Sequence, residues 1–266
     1  MTHLGGQEIP PWSVADAERE VARATASYKT LQAILGMALH DNDRHAVERL
    51  LRFCIRWRSG VIRNAAFRGV GLVARRFGAV DGPTWALIAA ASEDEAAPDR
   101  AVAEGVLVDL RQLVEEPPLW VPPVVELMGD RVDDFESFVK EVNRSLVPQY
   151  EEIVGHPWNG DLDAFNDILR GGFGTPEDGF VIRFVDADRF RRALGWPETI
   201  RWLEAKLDSC HGTNRDRVQA ELDAARCHEG ETLFDIILAI IWDHGPGGSE
   251  PTDLVHAVLF GPHQVR

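Results

Sequence analysis

The chain has 266 residues, enough for one large domain or two small ones, and its 45% hydrophobic and 27% charged residues make an ordinary globular composition. No apolar run reaches the length of a membrane helix, the opening MTHLGGQEIPPW lacks the basic and apolar regions of a signal peptide, and three cysteines (Cys54, Cys210, Cys227) fit a reducing cytoplasm without structural disulfides. The net charge of −15 is uneven: residues 1–117 hold 16 acids and 14 bases, and residues 118–266 hold 27 acids and 14 bases. That excess speaks against direct nucleic-acid binding by the second part, because phosphates are repelled. Its complement is a basic partner, with simple solubility as the plainer use of the same charge.

Everything before residue 117 reads as helical. DRHAVERLLRFCIRW carries Val47, Leu50, Leu51, Cys54 and Ile55 at helical spacing. GVIRNAAFRGVGLVARRFG carries Ile62, Ala65, Ala66, Gly69, Val70, Val73 and Phe77 in the same way, and TWALIAAAS and DRAVAEGVLVDLRQLV repeat the pattern. Two helix pairs of similar length, roughly 41–78 and 81–114, predict an α-solenoid, although a plain bundle has the same periodicity. On VIRNAAFRGVGLVARRFG (Val61 to Gly78) and PDRAVAEGVLVDL (Pro98 to Leu110), this half resembles HEAT-like repeats. The resemblance implies that Arg63, and after it Arg100, ties neighbouring turns together.

The boundary is EEPPLWVPP, Glu115 to Pro123, where two Pro-Pro pairs block both helix interiors and central strands. It predicts an all-α domain over 1–117 and a second domain over 118–266. In the second, VVELM (Val124 to Met128) reads as a strand. DDFESFVKEVNRSL reads as a helix capped by Asp133 or Asp134, with Phe135, Phe138, Val139 and Val142 on one face. LDAFNDIL is a further helix, closed by Gly171 and Gly172. GFVIRFV is apolar enough for a strand covered on both faces. A short helix (DADRFRRALG), a strongly apolar helix (TLFDIILAIIWDHGPGG) and a last strand (Leu254 to Phe260) follow, which predicts a three-stranded parallel α/β sheet. Over about 197–230, PETIRWLEAKLDS and RDRVQAELDAARC form an inserted helical hairpin, with Ile200, Leu203 and Leu207 facing Val218, Leu222 and Ala225.

Within the second domain, WNGDLDAFNDIL (Trp158 to Leu169) sets three acids within seven residues. Leu162, Phe165 and Leu169 face inward, which places Asp163, Asn166, Asp167 and Arg170 on a solvent stripe. Asp161 suits the N-cap, and Asp163 gains from the helix dipole. Asp167 lies beyond that benefit and four residues from Asp163, where like charges cost about 0.2–0.5 kcal/mol. Arg170 can relieve part of this.

WNGDLDAFNDILRGGF resembles the signature of the barstar family, intracellular inhibitors of secreted ribonucleases. Trp158 matches the aromatic, Leu162-Asp163-Ala164 the core motif, Asp167 the second acid and Gly171 the closing glycine. The order of strands and helices agrees over 118–266, apart from the hairpin. The resemblance implies an immunity protein or antitoxin, not an enzyme, whose helix and preceding loop fill the cleft of a basic nuclease toxin, most simply a ribonuclease. Asp167 would stand in for a substrate phosphate and Asp163 would add to the contact. Trp158, Asn159, Gly160 and Asp161 would shape the loop, and Asn166 and Arg170 would flank it. Asn166 departs from the Trp of some members, and the hairpin precedes the last helix, from which the family draws further contacts. The alternative is a non-inhibitory interaction scaffold built on the helical repeats.

Remaining motifs are weaker. Cys210-His211 and Cys227-His228 invite a zinc reading, but adjacent residues rarely ligate one ion together and no CxxC or HxxxH spacing is present, so two unrelated pairs are the simpler account. His156, in the contact loop, is either a pH-sensitive contact or a solvated histidine. DHGPGG follows a helix and lacks the Lys-Ser/Thr of a phosphate loop. No cofactor or metal is expected.

Overall fold

The computed structural model describes residues 3–4, 7–23, 26–57, 59–94, 98–245 and 248–261. The chain divides into two compact units: Met1–Val121 with Ser249–Leu254, and Pro122–Gly248 with Val255–Arg266. The first therefore extends past Pro117 and takes in a segment from near the C-terminus. Packing explains both. Trp120 lies against the core of the first unit, where Gly82 leaves room for it: a Cβ on Gly82 would come within 2.8 Å of Trp120 Cβ. Leu254, 3% exposed, belongs to the same core. Arg56 Nε donates to Thr252 O at 3.0 Å.

The first unit holds six α-helices among the described residues: α1 (Val14–Val21), α2 (Tyr28–His40), α3 (Arg44–Ile55), α4 (Gly60–Phe77), α5 (Gly82–Glu93) and α6 (Arg100–Leu113). Side-chain N-caps start four of them. Ser13, Ser27, Asp43 and Asp81 each accept from the backbone N–H three residues on. Glycine ends α4, with Gly78 in the left-handed region at φ 65°. The predicted apolar stripes are the buried ones: Val47, Leu51, Cys54, Ile62, Ala66 and Val70 are all 1% exposed or less. Each such aliphatic side chain, Leu51 for example, contributes about 1.5–3 kcal/mol by leaving water.

Helices α2, α4 and α6 pack in succession, with α1, α3 and α5 packing on them in turn. Arg63 Nε donates to Asp99 Oδ2 at 2.5 Å and its Nη1 to Trp57 O at 2.9 Å, while Asn64 Nδ2 reaches Asp99 Oδ1 at 2.7 Å. Arg63 thus joins the start of α4 to the start of α6. Arg100 does not act in this way, because its guanidinium pairs with Glu104 in its own helix at 2.7 Å. The expectation of helix alone also needs correction. Two short antiparallel strands, β1 (His3–Leu4) and β2 (Gln7–Glu8), precede α1.

The second unit runs β3 (Val124–Met128), α7 (Phe135–Ser145), α8 (Tyr150–Val154), α9 (Leu162–Leu169), β4 (Phe180–Val185), α10 (Ala187–Ala193), α11 (Trp196–Ser209), α12 (Arg215–Arg226), α13 (Leu233–Asp243) and β5 (Val255–Phe260). The sheet is parallel throughout, in the order β3-β4-β5, with Leu127, Phe184 and Leu259 in register. Phe180, Ile182 and Phe184 are fully buried against the helices. The opposite face of β4 is only partly covered, so the strand is not enclosed on both sides as its composition suggests. There Arg183 pairs with Glu126 at 2.8 Å and lies 4.9 Å from the Phe260 ring centroid. Asp134, not Asp133, caps α7, in a reciprocal box with Ser137.

Helices α11 and α12 form the inserted hairpin around a small core of their own, Leu203, Val218, Leu222 and Ala225. Thr199 anchors its base: its hydroxyl donates to Gly195 O at 3.0 Å and accepts from Leu233 N at 2.8 Å. The histidines of the two Cys-His pairs have separate occupations. His211 Nδ1 accepts from Thr213 N at 3.4 Å, and His228 stacks on Trp196 at 5.6 Å. No helix among the described residues is long and apolar enough to cross a membrane.

Candidate partner-binding surface on helix α9

Helix α9 and the loop before it are held from below by α7. Asn143 Nδ2 donates to Val139 O at 2.9 Å and Trp158 O at 2.8 Å, and Asn143 Oδ1 accepts from Trp158 N at 2.9 Å. One amide side chain therefore fixes both backbone groups of Trp158. The indole is 1% exposed, with the Phe165 ring centroid at 5.4 Å and the Phe138 centroid at 6.3 Å. Its Nε1 donates to Asp161 O at 2.9 Å. Trp158 is thus an internal strut that shapes the loop, and its side chain offers nothing to a partner.

The next residues set the start of α9. Asn159 is exposed, and its Oδ1 accepts from Asp161 N at 3.1 Å. Gly160 is buried at φ 92°, a conformation that L side chains rarely adopt. A Cβ there would meet Val139 Cγ2 at 2.9 Å and Phe135 Cε1 at 3.0 Å. Asp161 caps the helix, accepting from Asp163 N at 2.8 Å and Ala164 N at 3.3 Å. At the other end, Thr175 Oγ1 donates to Ile168 O at 3.1 Å, and Gly171, Gly172 and Gly174 carry the chain away at positive φ. Phe165, Ile168 and Leu169 are buried at 2% exposure or less. Clamped at both ends and along one side, α9 is a rigid mount for what it exposes.

Its exposed side carries the acids. Asp163 is exposed, and its carboxylate makes no hydrogen bond or ion pair with any described residue. Asp167 has 58% of its side chain exposed and pairs with Arg170, which is 40% exposed. An exposed pair at this spacing is worth about 0.3–0.5 kcal/mol, so it leaves Asp167 open to competition from an outside cation. The two carboxylates stand one helical turn apart, about 6 Å along the axis.

Asn166 departs from the predicted solvent stripe. It is half-buried, because it faces His244 just beyond α13. With each end of its amide set against a complementary group, Nδ2 donates to His244 Nε2 at 3.1 Å. Oδ1 then accepts from Arg170 Nη2 and Nη1 at 3.1 and 3.2 Å. His244 is fully buried. Sequence patterns pointed to neither His244 nor Asn143, since a polar residue inside an amphipathic helix or just beyond it looks like any other. Helix α8 was missed as well. It is too short to show a period, and it ends at Gly155 with φ 92°.

His156 is exposed in the loop, with Nδ1 2.9 Å from Pro157 O. Clefts elsewhere in this unit, one lined by Leu238, Trp242 and Leu259 and one by Val124, Met128 and Arg144, include no residue of α9. Chemically, α9 offers exposed negative charge at a fixed spacing. No protein-family model matches the chain, and neither does any curated protein or solved structure.

Proposed function

We propose that the second unit is a barstar-like inhibitor domain, and that the chain is a cytoplasmic immunity protein or antitoxin for a basic nuclease, most simply a ribonuclease. A nuclease cleft is cationic because it holds a phosphodiester. Asp163 and Asp167 present two carboxylates at a fixed spacing and contain no bond that the nuclease can cleave. Charge-assisted hydrogen bonds from Arg and Lys to carboxylates are short and strong. The surplus of acids over residues 118–266 steers a basic toxin toward the domain. The single observation behind this proposal is the exposed Asp163, whose carboxylate has no partner among the described residues, beside half-exposed Asp167 on a helix clamped at both ends.

The test uses the full chain and a small, basic, secreted ribonuclease of the type that the barstar family inhibits. Inhibition is expected with nanomolar affinity that falls as salt rises. Asp167→Ala and Asp163→Ala are each expected to weaken binding by at least ~30-fold, the loss of a buried charged anchor worth about 2 kcal/mol or more. Inhibition that ignores both substitutions would refute the role given to α9.

A second reading draws on the first unit. Successive packing of α2, α4 and α6, with Arg63 joining α4 to α6, supports a HEAT-like repeat, and such repeats serve as docking surfaces. Phe53, 52% exposed and edge-on to Trp57 at 5.2 Å, is an apolar contact open to a partner. In this scaffold reading, Phe53→Asp abolishes partner binding and the α9 substitutions leave it intact. The inhibitor reading expects the reverse.

A further inference from the structure

The three-stranded sheet has two edges, and they are built differently. At β3, Pro122 and Pro123 precede the strand, and Glu126 puts a charge at its middle. Glu141 Oε1 accepts from Met128 N at 2.8 Å, which covers the far end of that edge. Proline, charge and cover are the usual means by which a sheet edge is kept from pairing with another chain. The strand at the other edge, β5, reads VHAVLF and has neither proline nor a charged residue. Burial pushes the pKa of its His256 below the ordinary value, so that this residue too is neutral at pH 7.

The register shows which backbone groups of β5 face outward. The N–H and C=O of one strand residue leave on the same side, and successive residues alternate between sides. Val181 N donates to Pro123 O at 2.8 Å, so Val181, Arg183 and Val185 turn toward β3, while Phe180, Ile182 and Phe184 turn toward β5. With Ile182 opposite Ala257, their bonds fall on His256, Val258 and Phe260. Val255, Ala257 and Leu259 therefore direct their groups away from the sheet. Val255 is already engaged: its N–H donates to His244 O at 3.0 Å, and a Cβ on Gly245 would come within 2.7 Å of its carbonyl oxygen. Ala257 and Leu259 make no backbone hydrogen bond outside the sheet with any described residue. On the helix-facing side α13 covers only the start of the strand, where Val255 is buried, and it leaves Ala257 and Leu259 exposed. These two line a cleft with Leu238 and the exposed Trp242.

We propose that this edge is a dimer interface, at which β5 pairs antiparallel with β5 of a second copy of the chain about a two-fold axis at Val258. In a two-fold contact the same patch meets itself, so its free groups have to satisfy one another. Those of Ala257 and Leu259 do. With Val258 on the axis, Ala257 lies opposite the partner's Leu259, and each exchanges an N–H and a C=O with the other. An axis at Ala257 would call on Val255, which His244 already holds. The partner's Leu259 also enters beside Trp242 and removes apolar surface from water. Along the strand no charge meets its like, although two chains of net charge −15 repel at longer range. Salt therefore tightens this contact, whereas it weakens attraction to a basic partner. Nothing here depends on the reading of α9.

Sedimentation velocity of the full chain over a dilution series reads the dimer constant, with circular dichroism and melting temperature checking the fold of each variant. Wild type should dimerise, and a rise from about 50 to about 500 mM salt should tighten the dimer at least ~3-fold by screening the like net charges. Val258→Lys sets two ammonium groups opposite each other at the axis and should weaken the dimer at least ~10-fold, as should Val258→Glu with two carboxylates. Because this residue meets only its own copy, mixing the two variants pairs opposite charges and should restore a dimer within ~3-fold of wild type. A wild type that stays monomeric overturns the proposal. So does a dimer indifferent to Val258→Lys, and so does a mixture of the two variants that stays apart. If the chain is monomeric and Val258→Lys instead abolishes binding of the basic ribonuclease, the edge receives a strand of that partner and not a second copy.

Discussion

Glu48 should make the first unit lose stability as pH rises. Its side chain on α3 is fully buried, and its Oε2 accepts from Asp81 N at 2.7 Å. Against its burial, hydrogen bonds with Thr84 and Glu48 and the Arg52 guanidinium hold the Asp81 carboxyl below its ordinary value; Arg52 Nη1 lies 3.0 and 2.8 Å from its two oxygens and 2.8 Å from Thr84 Oγ1. Arg44 approaches Glu48 at only 3.4 Å. Burial, together with the neighbouring Asp81 charge, pushes the Glu48 carboxyl up from 4.5 to about 7. The folded unit therefore binds a proton that the unfolded chain releases between these values. Its contribution is complete below pH 4.5 and is lost as pH rises through 7. At ~1.36 kcal/mol per unit the full effect is about 3 kcal/mol, of which about 2 kcal/mol falls between pH 5.5 and 8. Glu48→Gln keeps an acceptor for Asp81 N and can donate to Asp81, as the protonated acid does, but it does not titrate. Urea denaturation at the two pH values, with hydrogen exchange read in peptides of α3 and α5, should show a wild-type loss that the variant lacks. At pH 8 the variant should be the more stable by about 2–3 kcal/mol. Parallel pH profiles for the two proteins would refute the burial argument.

Three further outcomes can be checked directly. Gly160→Ala places a Cβ against Val139 and Phe135 at φ 92°; a strained backbone of this kind costs roughly 1–3 kcal/mol, so a melt should shift down by several degrees, and an unchanged melting temperature would count against the tight approach. Asn143→Ala orphans both backbone groups of Trp158, at about 1–3 kcal/mol for each group left buried without a partner; denaturation should detect this, and ribonuclease binding should weaken as the loop loses its support. Burial pushes the Cys54 thiol up to about 12, so iodoacetamide followed by mass spectrometry should label exposed Cys227 in the native protein and leave Cys54 untouched until it unfolds.

Much of this molecule is legible in the sequence, because the signals that carry it are local. The 3.6-residue stripe of α3 and α4 and the apolar run of β4 each depend on residues within one element. So does the Asp161 cap on α9, and side-chain periodicity alone places Asp163 and Asp167 on the outside. What the sequence leaves open are contacts between residues far apart along the chain. The family resemblance gives Trp158 a part in shaping the contact loop, and only Asn143, Phe138 and Phe165 packing around it show that its ring is buried. Asn166 falls on the solvent stripe by spacing, yet His244, 78 residues away, draws it inward. Leu254 reads as the first residue of the last strand, but the strand starts at Val255 and Leu254 sits in the core of the first unit. A side chain's own periodicity states which way it points. Whether it meets water or another element depends on where the rest of the chain packs, and that is settled only when the tertiary contacts form.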